Sequence, residues 1–253
     1  MIKYITHLII IILISSCNQN PIDKWQNYDE SDEIKTNSKL ENKRLQFKRI
    51  QSISNDKNKL IIGFEKEISD FIDSEYDLVK ALVYEKSIPE IQQNIIDGKL
   101  TYYKLSLFYL SRIYLIEFDQ ETYLNSIISI NKNILKEAKR KDKIKNTNIY
   151  SLHGIPILLK DNIGFEGLAT TAGAHSLKNN YTVDASIVKQ LKENGALILG
   201  KTNLSEWANY FCYGCPNGYS AMGGQTLHPY GRKILDTGGS SSGSGVSTTS
   251  NLS

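Results

Sequence analysis

The sequence predicts an α/β fold in which a helical region precedes a core of alternating strands and helices. Two apolar runs, at 155–159 and 196–199, have the length of buried strands, and an amphipathic segment at 185–194 lies between them. Strand, helix and strand in that order are typical of layered α/β proteins. Upstream, the apolar residues follow helical spacing, which predicts a helical lead-in over 59–145 before the α/β core over 150–253.

The composition is that of an ordinary globular protein. Of the 253 residues, 40% are hydrophobic and 23% are charged, which argues against a disordered or fibrous chain. The net charge of +3 is too small to predict a nucleic-acid partner. Three cysteines cannot form a disulfide-rich scaffold, and four scattered histidines do not indicate a metal site.

Residues 1–17 have the pattern of an export signal. An apolar run from Leu8 to Ile14 is followed by two serines and Cys17, which resembles the lipobox of bacterial lipoproteins. The resemblance implies acylation of Cys17 and a lipid anchor in the bacterial cell envelope. The alternative is an ordinary secretory signal followed by a chance cysteine. Residues 18–58 are polar and predict a flexible tether.

Helices are predicted through the lead-in. Ser87, Pro89 and Glu90 have the spacing of a helix start with a capping box. Apolar positions between 124 and 138 predict one long helix, which ends in a cluster of lysines and arginine. That cluster suits either an anionic lipid surface or a solvated helix end whose cations complement the helix dipole, and we favour the second interpretation.

Two features could carry chemistry. Lys160 directly follows the apolar run 155–159, where burial would lower its pKa and make it a base, although a surface lysine past a strand end is the alternative. Residues 237–245 are rich in serine and glycine, which suits a linker or, around Ser241, a G-x-S-x-G nucleophile turn. Because no histidine follows His228, a serine–histidine pair is disfavoured and a serine–lysine arrangement remains.

Several segments taken together resemble the amidase signature family, and its peptide-amidase branch most. The resemblance spans roughly residues 88–253 and rests on segments 152–163, 170–173, 195–209 and 224–230 and on the serine–glycine loop. It implies a mixed sheet flanked by helices and hydrolysis of small amides or peptide amides by a Ser–cis-Ser–Lys triad. It implies no metal or organic cofactor, because a lysine acts as the base, and it leaves the oligomeric state undetermined.

By this resemblance, Lys160 matches the triad lysine and Ser240 matches the bridging serine, whose preceding peptide bond is cis. Gly238 and Gly239 would permit the tight backbone, and Ser241 would support the loop by hydrogen bonding. Neutral Lys160 would then accept a proton through Ser240 from a nucleophilic serine.

The family nucleophile lies in a later Asp-x-Gly-Gly-Ser segment, and none follows Ser240 before Ser253. Residues 236–240 spell that pattern themselves, but their position in the chain favours the bridging role. We therefore expect an N-terminal part of an amidase, with an incomplete sheet and no activity of its own. A non-catalytic envelope lipoprotein that binds a partner is the alternative. A tRNA-dependent amidotransferase subunit is disfavoured by the export signal.

Cys212 and Cys215 form a C-x-x-C pattern in a glycine-rich stretch. A redox motif is one interpretation. We favour either a local disulfide that stabilises the loop or two thiols with no special role.

Overall fold

A computed structural model describes residues 22–253. The predicted signal sequence and its acylation site, Cys17, lie outside the described residues. Within 22–253, no helix combines the length and the apolar composition needed to cross a membrane.

The central sheet has three strands in the order β1-β3-β2. These are β1 (Ile127–Ile130), β2 (Pro156–Lys160) and β3 (Leu197–Thr202). β2 pairs with β3 in parallel and β1 pairs with β3 in antiparallel, so the sheet is mixed. A short hairpin of β4 (Tyr219–Ser220) and β5 (Gly224–Gln225) lies apart from it. The predicted α/β class, with a mixed sheet and flanking helices, is confirmed.

Eight α-helices and four short 3-10 helices accompany the strands among the described residues. The α-helices are α1 (Ser31–Asn37), α2 (Glu65–Ser74), α3 (Tyr76–Val83), α4 (Ile88–Ile96), α5 (Tyr102–Glu117), α6 (Ile134–Lys141), α7 (Ser186–Glu193) and α8 (Ser242–Thr249). The 3-10 helices are Lys43–Leu45, Lys57–Leu60, His175–Leu177 and Glu206–Asn209.

α5 is the central helix of the lead-in. Its Leu105 and Phe108 are fully buried, and α2, α3 and α6 pack around it. α4 begins with the predicted capping box, in which the Glu90 carboxylate accepts the Ser87 backbone amide at 2.8 Å. These helices form the main hydrophobic core together with one face of the sheet.

The single long helix predicted over 124–138 is wrong. The structure has β1 at Ile127–Ile130 and then the separate helix α6. β-branched isoleucines favour extended backbone, and β1 lies beside β3 with Ile127, Ile128 and Ile130 all buried. Apolar residues buried on both faces of a strand mimic helical spacing over so short a run.

The structure also differs from the expected flexible tether over 18–58. From residue 22 onward this segment packs on the body, and Trp25, Phe47 and Ile50 are at most 7% exposed. They form a second core with Tyr123 and others, and Trp25 contacts the Tyr123 ring edge-on. The polar composition conceals a few widely spaced apolar anchors, whose burial orders the chain between them.

Candidate active site

The carboxyl end of β2 and the serine–glycine loop bring Lys160 and Ser240 together. Lys160 Nζ donates a hydrogen bond to Ser240 Oγ at 2.8 Å, across 80 positions of sequence. The peptide bond between Gly239 and Ser240 is cis. The two sequence-predicted residues are therefore in direct contact, with the backbone geometry that the resemblance implied.

Partial burial sets the protonation of Lys160. Desolvation lowers the pKa of its amine from the ordinary value of 10.5. A lower pKa increases the neutral fraction of the amine near physiological pH, and a neutral amine can accept a proton.

The segment that follows β3 holds the loop in place. Ser205 donates its backbone amide to the Ser240 carbonyl at 3.0 Å, and the Asn203 carbonyl accepts the Gly243 amide at 3.0 Å. Asn203 is itself fully buried and donates its side-chain amide to the Asn125 carbonyl at 3.0 Å. Ser240 is thus fixed by backbone contacts to a rigid strand end.

Gly238 and Gly239 are both needed by the geometry of the loop. Gly238 has a φ of +66°, which favours glycine. A Cβ on Gly239 would lie 2.7 Å from Asn217 Oδ1 and 2.9 Å from Ser205 Oγ, closer than carbon and oxygen ordinarily approach. Asn217 is held in turn by Asp236, whose carboxylate accepts its side-chain amide at 3.0 Å.

Ser241 does not support the loop as expected. It is the exposed N-cap residue of α8, and its side chain makes no capping hydrogen bond. The buried Ser242 takes that role, because its hydroxyl donates to the Gly238 carbonyl. The difference follows from the helix start, which turns residue 241 outward and residue 242 inward.

A buried ion pair beside Lys160 was missed by sequence reasoning. Lys201 Nζ lies 3.4 Å from Asp161 Oδ1 and donates to the Ile163 carbonyl at 2.7 Å, and both charged side chains are fully buried. Burial raises the pKa of Asp161 and lowers that of Lys201, and the opposite charge of each partner counteracts the shift. The signal available was a lysine at 201 directly after the apolar run 196–199 and Gly200.

The Asp161 carboxylate also organises the loop opposite Ser240. It accepts hydrogen bonds from the Thr171 hydroxyl and, at 3.4 Å, from the Gly173 amide. The end of β2, the 170–173 segment and β3 are therefore connected through one buried carboxylate.

After β3 the chain forms the 3-10 turn Glu206–Asn209, in which Trp207 and Ala208 have positive φ. Cys212 and Cys215 form a disulfide in the following loop. A pocket of about 400 Å³ lies beside this disulfide and is lined by Arg49, Glu206 and Tyr219 among others. Over residues 22–253, no three His, Cys, Asp or Glu side chains are grouped closely enough to hold a metal ion.

Comparison with known proteins places these features in a family. The amidase family model matches residues 108–253. A protein of Arabidopsis thaliana described as a probable amidase is 39% identical over 178 residues, which cover 67% of this chain and 33% of that protein.

Solved structures of amidases are also similar to this chain. An amidase family protein from Bacillus anthracis str. Ames superposes with a TM-score of 0.71 at 38% identity, covering 82% of this chain and 41% of the other. The native peptide amidase of Stenotrophomonas maltophilia gives a TM-score of 0.63 at 40% identity, covering 67% and 35%. This chain spans 33% to 41% of the length of these three proteins. Sequence, fold and family model agree, and the chain belongs to the amidase family.

Proposed function

We propose that this protein hydrolyses linear amide bonds by a Ser–cis-Ser–Lys triad, to which Lys160 and Ser240 contribute the base and the bridging hydroxyl. The observation that carries the proposal is the 2.8 Å contact between Lys160 Nζ and Ser240 Oγ next to a cis peptide bond. Membership of the amidase family gives the reaction class. The peptide amidase among the relatives suggests a small amide or peptide amide as substrate.

The chemistry is a proton relay. Neutral Lys160 accepts the hydroxyl proton of Ser240, while Ser240 accepts the proton of a nucleophilic serine as that oxygen attacks the substrate carbonyl. The protonated Lys160 then returns a proton by the same route to the departing amine, which breaks the carbon–nitrogen bond. Water completes the second half of the cycle by attacking the acyl-enzyme, which releases the free acid and returns a proton to the nucleophilic serine.

The proposal assigns the nucleophilic serine to a part of the family domain outside residues 1–253. This assignment is supported by the extent of the match, which covers 33% to 41% of the length of the relatives. Residues 1–253 alone are then expected to be inactive toward amides.

Activity measurements with matched variants test the proposal. A protein that contains this chain and the remainder of the domain is expected to release ammonia from a peptide amide, and Lys160→Ala and Ser240→Ala should each abolish turnover. Ser241→Ala serves as the control, because its exposed side chain forms no capping contact. Equal loss with Ser241→Ala, or full activity with Lys160→Ala, would contradict the triad. Inactivity of a folded full-length protein would favour the non-catalytic envelope role instead.

We further propose that the protein is exported and anchored in the cell envelope through an acylated Cys17. The support is the sequence pattern of an apolar run followed by small residues and a cysteine. Growth with a radiolabelled fatty acid is expected to label the protein, and Cys17→Ser should abolish the label. Cys212→Ser is the matched control and should leave the label unchanged, since that cysteine lies in the disulfide-bonded loop.

A further inference from the structure

A row of four cations lies exposed along one face of α6 and the turn that follows it. Lys136, Lys139, Arg140 and Lys143 are spaced i, i+3, i+4 and i+7, which places them on the same side of a helix. We refer to these four residues as the α6 basic stripe. The stripe borders a groove of about 500 Å³, whose lining also includes Phe64 and Tyr103.

The charge of this stripe is not neutralised locally. Among the described residues, none of the four forms an ion pair. Glu67 is the one carboxylate among the described residues that line the groove. The carboxylate of the nearby Asp142 accepts the backbone amide of Tyr102 at 2.7 Å, so it serves the start of α5.

Lys132 extends the positive groove at the other end of α6 but is occupied by protein contacts. Its Nζ donates to the Lys59 carbonyl at 2.6 Å and to the Ile62 carbonyl at 3.0 Å. Lys139 lies 4.5 Å from the centre of the Tyr103 ring, which steadies its position without removing its charge. The stripe is therefore a preformed cationic surface with aromatic side chains at its base.

The N-terminal segment keeps the proposed anchor close to the folded body. Ile22 packs on the main core, and the Asp23 amide donates to Tyr114 Oη at 3.0 Å. Four residues separate Ile22 from Cys17, and the five residue-to-residue steps can span at most about 18 Å. An acylated Cys17 would therefore hold the folded body against the membrane, since residues 22–58 are packed on the body and provide no further reach.

One short segment connects residues 22–25 with the groove. The side-chain oxygen of Asn58 accepts a hydrogen bond from the Trp25 backbone amide at 2.8 Å, and the Lys59 carbonyl accepts one from the Lys132 amine. Gly63 and Phe64, which lie a few residues further along the chain, line the groove. Residues 58–64 thus contact Trp25 at one end and line the groove beside the stripe at the other.

In place of the solvated helix end favoured from the sequence, we propose that the α6 basic stripe docks on anionic phospholipid headgroups and so orients the domain on the membrane that holds its lipid anchor. The inference rests on the proposed acylation of Cys17 for its choice of partner, and on the charge and exposure of the stripe for the contact itself. Clustered lysines and arginines near a lipid anchor are attracted to anionic lipid at short range, and the attraction weakens with salt.

Vesicle binding by the full chain carrying Cys17→Ser tests the contact without the acyl group. Co-sedimentation is measured with phosphatidylcholine vesicles and with vesicles that also contain phosphatidylglycerol. The leader is present in every sample, so the ratio of the two affinities reports the electrostatic part. Replacing the stripe by K136Q/K139Q/R140Q/K143Q is expected to reduce binding to the anionic vesicles by about tenfold or more. Binding to neutral vesicles should not change.

The matched control removes four exposed cations elsewhere, as K35Q/K39Q/K43Q/K189Q. It has the same net charge as the stripe variant and is expected to bind anionic vesicles within about twofold of the parent. Equal loss in both variants would overturn the proposal, because net charge alone would then explain binding. Retained binding of the stripe variant would overturn it as well.

Two further measurements keep the result interpretable. A stripe variant that loses binding to a duplex oligonucleotide while keeping vesicle binding would reassign the surface to nucleic acid and overturn the proposal. If the fourfold variant does not fold by circular dichroism, K136Q/K143Q replaces it, with an expected loss of about threefold or more. A missing fatty-acid label on Cys17 would refute the anchor separately, since the vesicle assay uses no acyl group.

Discussion

Replacing Gly243 by alanine is expected to push α8 away from the end of β3 and so to separate Ser240 from Lys160. A Cβ at this position would lie 2.5 Å from the Asn203 nitrogen and 2.7 Å from the Ser126 oxygen, with the Asn203 oxygen closer still. These are backbone atoms, which cannot turn aside as a flexible side chain can. An ordinary contact of 3.4–4 Å therefore requires a backbone displacement of about 1 Å.

The magnitude follows from two contributions. Overpacking of a tight site costs about 1–3 kcal/mol, and loss of the hydrogen bond from the Gly243 amide to the Asn203 carbonyl adds about 1 kcal/mol. The free energy of unfolding is thus expected to fall by about 2–4 kcal/mol. Under the proposed function, a displacement of about 1 Å at Ser240 should lower kcat of a protein that contains the whole family domain by about a hundredfold.

The matched control lies two residues further along the same helix. A Cβ on Gly245 would meet no atom within 4 Å, so Gly245→Ala should raise the free energy of unfolding by about 0.5–1 kcal/mol through helix propensity. Urea unfolding followed by circular dichroism gives both values by linear extrapolation. Equal stabilities of the two variants, within about 0.5 kcal/mol, would refute the assigned packing of α8 against the strand end.

Three shorter predictions concern ionisation, the buried pair and the disulfide. If Lys160 is the proposed base, kcat/KM of a protein that contains the whole family domain should rise with pH through a Lys160 pKa below 10.5, because the amine accepts a proton only when neutral, and a flat profile would contradict this. Lys201→Met should lower the free energy of unfolding, measured with urea, by about 3–5 kcal/mol, because Asp161 is then buried without its partner. Adding Asp161→Asn to the same chain should restore part of that loss. The double variant Cys212→Ser/Cys215→Ser removes the disulfide. Its free energy of unfolding should fall by at most about 2 kcal/mol, because the loop that the disulfide closes is short. Thermal melting with and without reductant measures that loss, and a fall in kcat beyond about twofold would indicate that the loop acts on substrate.

Local chemistry in the sequence was sufficient to place several elements. The capping box at Ser87 and Glu90 fixes the start of α4 through short-range contacts, so its signal is contained in four residues. The apolar run that precedes Lys160 likewise identifies a strand, in which Pro156 and Leu159 are buried and Ile157 and Leu158 are partly buried.

Elements defined by distant partners were harder to predict. β1 exists because Ile127–Ile130 can pair with β3, and that partner lies about 70 residues away in the chain. The ordering of Trp25 and Phe47 similarly depends on Tyr123 and its neighbours, which no local composition reveals. Ser241 and Ser242 could not be distinguished by pattern, since the difference is the direction in which the first turn of α8 faces.

The placement of Lys160 and Ser240 depends on contacts that this chain supplies itself. Lys160 is set by the pairing of β2 with β3, in which it lies opposite Thr202. Ser240 is set by Ser205 and by the α8 start, which is tied to Asn203. All of these residues lie between 108 and 253, the range that the family model matches. If Lys160 and Ser240 are the proposed base and bridging hydroxyl, their attachment to one strand end means that little reorganisation is needed when a nucleophile is brought to them, which is the condition under which a proton relay is fast.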